Sequence, residues 1–134
     1  MSLAVRVLPG GLAVARLPAA AEGEAPGWPA WALSGAVLSV TRTADEISIV
    51  CAERCVPEGV ARQRGFRALV VRGPLPFALV GVLAQLAVPL AAAGVPIFVL
   101  STHDTDYLLV PGERLDEAVA ALEGAGISID RAEG

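Results

Sequence analysis

Residues 101–114 read STHDTDYLLVPGER, and residues 41–54 read TRTADEISIVCAER. At an offset of sixty, Thr41 lies over Ser101, Glu46 over Asp106, Val50 over Val110, Glu53 over Glu113 and Arg54 over Arg114. The match continues upstream, where Val37, Leu38 and Val40 lie over Ile97, Phe98 and Leu100. Self-similarity at a fixed period with a shared apolar pattern is the mark of duplicated architecture. In each copy two short apolar runs flank a polar turn. AVLSVT and EISIVC surround Arg42–Asp45, while VPIFVLS and TDYLLV surround His103-Asp104. Both read as antiparallel strand pairs.

Around the second copy the pattern is regular. FRALVV (66–71) reads as a strand, and PLPFALVGVLAQLAVPLAAAG supplies a helix ending at Gly94. GERLDEAVAALEGAG (112–126) reads as an amphipathic helix with Leu115, Val119 and Leu122 on one face, and ISIDR (127–131) as a last strand. The order βαββαβ predicts an α+β, ferredoxin-like module, an antiparallel sheet with both helices on one face. The first half is harder to read. Two runs in LAVRVLPGGLAVARL meet at Pro9-Gly10-Gly11, a hairpin signal; AEGEAPG (21–27) is a loop; WPAWAL is a short helical turn or an extended bend anchored by Trp28 and Trp31. PEGVARQRG (57–65) is a polar connection between halves. The expectation is two modules in tandem, residues 1–62 degenerate and 63–134 well formed.

Apolar residues make up 54% of the chain and charged residues 18%, enough to build a core. The net charge of −4 and the pI of about 4.9 argue against a nucleic-acid partner. Arg54, Arg62, Arg64, Arg67 and Arg72 cluster in sequence, but without interleaved aromatics they read as solvated surface. Every basic residue is arginine. Without lysine there is no P-loop and no Schiff-base or pyridoxal chemistry. Cys51 and Cys55 read as two thiols of a reducing compartment, with a local disulfide or shared metal as the lesser alternatives, and His103 is the only histidine. The run from Gly73 to His103 carries no acidic residue and no arginine, yet Pro74, Pro76, Pro89, Pro96 and Gly94 break it, so no membrane span is expected. MSLAVRVLPGG lacks the long apolar region of a signal peptide, so a soluble cytoplasmic protein is expected.

The stretch FALVGVLAQLAVPLAAAGVPIFVLST (77–102) resembles the ACT domain, a small regulatory module that senses amino acids. The marks are Gly81-Val82-Leu83-Ala84 at the start of the first helix and Gly94-Val95-Pro96-Ile97 before the second strand. Pro96 stands where the family often has asparagine. LSTHDTDYLLV is similar to the ACT modules of aspartate kinases and of the cytosolic arginine sensors of animals. WALSGAVLSVTRTADEISIVC is similar to the first module of small bacterial tandem ACT proteins. The resemblance implies a regulatory protein with no catalytic domain and no cofactor, binding a small amino acid, paired as a homodimer and acting on a regulated protein.

Site residues follow from helix-terminus chemistry. First-turn amides near Gly81 suit a carboxylate, with Phe77, Val80 and Val82 beside them; close helix-on-sheet packing is the other reading of Gly81. Ser101, Thr102, His103 and Asp104, at the facing strand end, suit an ammonium, or form a solvated turn in which Asp104 bonds its own backbone. His103 beside Asp104 and Ser101 is no catalytic triad by adjacency. The helix over 77–93 is apolar almost all round, kinked at Pro89, with a face left for another module or subunit. An assembly protein that keeps the fold without a ligand is the rival reading, and an enzyme the least favoured.

Overall fold

In the computed structural model, which describes residues 3–19, 29–76 and 80–131, strand and turn residues fall where period and punctuation put most of them. The strands are β1 (Ala4–Val7), β2 (Leu12–Pro18), β3 (Ser39–Arg42), β4 (Glu46–Ala52), β5 (Ala61–Val71), β6 (Phe98–Ser101), β7 (Asp106–Pro111) and β8 (Ser128–Asp130). The helices are α1 (Val82–Ala92) and α2 (Leu115–Gly124), with single 3-10 turns at Ala30–Ala32, Glu53–Cys55 and Gly112–Arg114. The fold is α+β and ferredoxin-like. None of the helices is long and apolar enough to cross a membrane, among the described residues.

The chain divides into two units, one of residues Gly10–Gly65 and one of Met1–Pro9 with Phe66–Gly134. This differs from a division at 62/63 in one respect: the first strand belongs with the C-terminal unit. The β1–β2 hairpin expected at Pro9-Gly10-Gly11 does not form. β1 instead pairs antiparallel with β5 and parallel with β8, while β2 pairs antiparallel with β4. Both edges of β1 are thus occupied, and its alternation fits an interior strand, with Val5 and Val7 buried and Arg6 exposed. The polar run 57–65 is not all connection, because β5 begins at Ala61.

In the larger unit the order is β6-β7-β5-β1-β8. Its core gathers Val5, Leu69, Leu86, Leu90, Leu108 and Leu122, with α1 and α2 supplying the helical side. α1 starts later than the apolar run suggests. Gly81 holds φ at 82°, a left-handed geometry that ends any helix arriving from upstream, and Val80 lies outside the helix. Within α1, Val82, Leu86 and Leu90 are buried at a spacing of four, and the helix continues through Pro89. Leu83, beside that buried stripe, and Val88, on the far side, are exposed. α2 buries Leu115, Ala118, Val119 and Leu122.

In the smaller unit β2, β4 and β3 pair in that order, and Ala15, Ile47, Ile49 and Cys51 form a separate core with Trp31 packed against it. Trp28 lies outside the described residues.

Candidate functional site

The β6–β7 turn organises the larger unit's cleft. The Thr102 amide donates to Thr105 O (2.8 Å), and Thr102 Oγ1 accepts the amides of Asp104 (3.3 Å) and Thr105 (3.2 Å). A threonine that satisfies two turn amides helps fix the loop locally. Behind the turn, Leu75 N donates to Asp104 O (2.8 Å) and Thr105 Oγ1 donates to Val71 O (2.6 Å). The two segments meet so closely that a Cβ on Gly73 would lie 3.0 Å from Asp104 O. Across the strand pair, Ser101 faces Asp106, and its hydroxyl donates to Asp106 Oδ1 at 2.7 Å.

Between this turn and the start of α1 lies a cleft of about 200 Å³, with Leu75, Pro76 and Val82 on one side and residues 101–106 on the other. Of the residues singled out from sequence, Val82, Ser101, Thr102, His103 and Asp104 come together here. Phe77 lies outside the described residues. Val80 is 87% exposed, and neither it nor Gly81 is among the cleft's lining. Close packing does not explain Gly81 either: a Cβ there would meet nothing within 4 Å, and the left-handed φ is what calls for glycine.

Leu75, Thr105 and Asp106 were not singled out from sequence. For Asp106 a signal existed, since an antiparallel pair around a four-residue turn sets it opposite Ser101.

The cleft joins two kinds of polarity. α1 has no side-chain cap at its N-terminus, and its first intrahelical bond is Gln85 N to Gly81 O, so the preceding amides of the first turn remain as donors. Of α1, Val82 lines the cleft, and Asp104 and Asp106 line it from the β6–β7 hairpin. His103 Nδ1 lies 3.0 Å from Asp104 Oδ1, and its side chain is 90% exposed. Because Ser101 donates to Asp106, a Ser-His-Asp relay is not assembled. The thiols lie in the other unit. Both cysteines are free, and burial, reinforced by nearby Cys55 and opposed by Arg62, raises the Cys51 pKa. That makes Cys51 a poor nucleophile. No metal-binding group of three or more His, Cys, Asp or Glu occurs among the described residues.

A family model described as the ACT domain matches residues 61–124. A crystal structure of a protein from Agobacterium tumefaciens is 37% identical, with 96% of this chain and 92% of that one covered and a TM-score of 0.85. The chain belongs to the ACT-domain family. A separate model, described as an N-terminal domain, matches residues 10–59, close to the limits of the smaller unit. The ligand-free regulatory subunit of aspartate kinase from Thermus thermophilus shares the fold at 14% identity, with 92% of this ACT-family chain and 99% of that one covered and a TM-score of 0.63. A Vibrio cholerae protein of unknown function, described as a possible transport protein, is similar at 19% identity and a TM-score of 0.72, over 92% and 90% of the two chains.

Proposed function

We propose that this ACT protein is a non-catalytic regulator that binds a small amino acid in the cleft between the start of α1 and the β6–β7 turn. The observation that carries the reading is the uncapped α1 terminus facing Asp104 and Ser101 across a space of about 200 Å³. First-turn amides and the helix dipole favour a carboxylate, and Asp104 with the nearby hydroxyls favours an ammonium. An α-amino acid carries both charges a few ångströms apart. The ligand acts by differential affinity for two states of the protein, shifting its association or its conformation.

The exposed Leu83 and Val88 on α1 support a homodimer; a cytoplasmic setting and a regulated protein downstream complete the proposal. Sedimentation near twice 13.7 kDa at micromolar concentration is the expected result, and a strict monomer removes the dimer from this reading. The assembly-only alternative keeps the same apolar surface and dispenses with the ligand.

Thermal-shift measurements with each of the twenty amino acids separate the two. At a hundred times its Kd, a specific ligand adds about 2.7 kcal/mol of stability. A set of twenty flat responses favours assembly alone.

A further inference from the structure

The larger unit has a second cleft, of about 490 Å³, on the face of its sheet away from α1 and α2. Strand register builds its floor. Arg6 on β1 lies opposite Val70 on β5, and Val70 lies opposite Tyr107 on β7, so the three form one row across the sheet. Val5 and Val7 belong to the helix-side core, which turns Arg6 the other way. The wall is made by Arg72 and Gly73-Pro74, and the far end by the Thr102–Thr105 turn.

The charges along this cleft are unequal. Arg72 is held by Asp130 at 2.7 Å. Arg6 sits in an interior strand, in register with Val70 on one side and with Asp130, already engaged by Arg72, on the other, and none of the ion pairs among the described residues involves it. A guanidinium in one row with an aliphatic and an aromatic side chain offers a planar fork for an oxyanion and an apolar floor for the body that carries it. The first cleft has the opposite character, with two carboxylates and no arginine in its lining.

We propose that this second cleft is a separate binding site for a small oxyanion, a carboxylate or phosphate group, with Arg6 as its anchor and Tyr107 and Val70 beneath the ligand body. The assignment stands on Arg6, Val70 and Tyr107, none of which lines the amino-acid cleft, and so does not depend on that reading. Asp104 lines both clefts. Its carboxylate opposes an anion here and would favour an ammonium in the first cleft, so one substitution has opposite signs at the two sites.

Calorimetric titration of the parent protein with inorganic phosphate and, separately, with benzoate tests the site and distinguishes a bare anion from one on a flat apolar body. At least one probe binds with a Kd below about 10 mM, and Arg6→Gln weakens it roughly tenfold or more. Asp104→Asn tightens the same probe, and amide shifts on titration centre on Val70 and Tyr107. Arg6 is exposed, so the Arg6→Gln variant keeps its fold, checked by an unchanged melting temperature. No binding of either probe, an unchanged Kd in Arg6→Gln, or a weaker one in Asp104→Asn overturns the proposal.

Discussion

The hairpins β3–β4 and β6–β7 are built on one plan and end in different chemistry. Ser39 pairs with Val50 and Phe98 with Leu109; Val40 pairs with Ile49 and Val99 with Leu108. Thr43 repeats the bonding of Thr102: its amide donates to Glu46 O (2.9 Å), and its Oγ1 accepts the amides of Asp45 (3.1 Å) and Glu46 (3.2 Å). Gly35 and Gly94, both with positive φ, precede the two hairpins, and the 3-10 turns Glu53–Cys55 and Gly112–Arg114 follow them. Each correspondence runs at an offset of fifty-nine, as 43 to 102, 45 to 104 and 35 to 94 show. Beyond the shared backbone the units part. Arg114 reaches the carbonyls of Gly94 (2.6 Å) and Ala93 (3.3 Å) behind α1, whereas at the matching positions Cys55 Sγ meets Ser34 Oγ at 2.8 Å. A turn and its register repeat the scaffold; in the larger unit α1 and the side chains around the turn border a cleft.

The largest effects should come from what the units do not share. Leu86 is fully buried on α1, and Leu86→Ala should cost about 2–5 kcal/mol by chemical denaturation. A cost under about 1 kcal/mol would mean that α1 is not part of the core that positions the cleft.

Next come the matched glycines. An added Cβ at Gly35 would lie 2.9 Å from Ala52 Cβ, whereas at Gly94 the nearest atom is Arg114 Nη2 at 3.9 Å. Both sites carry left-handed strain, so Gly35→Ala should exceed Gly94→Ala by about 1–3 kcal/mol of overpacking. Equal melting-temperature losses would show that the smaller unit yields at Ala52.

The offset itself explains what the sequence could tell. The runs IVC (49–51) and LLV (108–110) are apolar at every position, so they give little reason to prefer fifty-nine over sixty, and Glu53-Arg54 over Glu113-Arg114 favours the wrong choice. One residue of slip exchanges the two faces of a strand. The cores decide: Ile49 and Cys51 correspond to Leu108 and Val110, which face their own clusters, and this holds only at fifty-nine. The βαββαβ order and the Ser101–Asp104 turn were legible because period and punctuation are local. The place of β1 was not, since pairing with β5 and β8 spans the chain from Ala4 to Asp130 and leaves no local mark. Nor did apolarity show that α1 begins at Val82, because the break is a backbone angle at Gly81.

The two threonines provide a finer test of equivalence. Thr43→Ala and Thr102→Ala each remove the acceptor for two turn amides, and each should cost about 1 kcal/mol. A large inequality, measured by denaturant titration, would break the match between the turns.

The smallest effect concerns Glu117, whose hydrogen bond and ion pair with Arg114 (2.7 Å) hold its pKa below the ordinary value of about 4.3. A depressed carboxyl stabilises the fold above the unfolded value and loses that contribution as the pH falls through the folded one. Glu117→Gln should therefore lower the melting temperature slightly at pH 7, with the gap closing in acid. A gap that persists when the carboxyl is protonated would mean that the pair contributes through packing.

Asp104 and Asp45 occupy the same place in the two turns, and only Asp104 borders the proposed amino-acid cleft. Calorimetric titration of the amino acid identified by thermal shift, against Asp104→Asn and Asp45→Asn, tests the central claim most directly. Asp104→Asn should weaken binding by about 1.5–3 kcal/mol, the worth of a hydrogen bond to a charged group, while Asp45→Asn binds as the parent does. Parent-like affinity in Asp104→Asn, or an equal loss in both variants, would contradict the assignment.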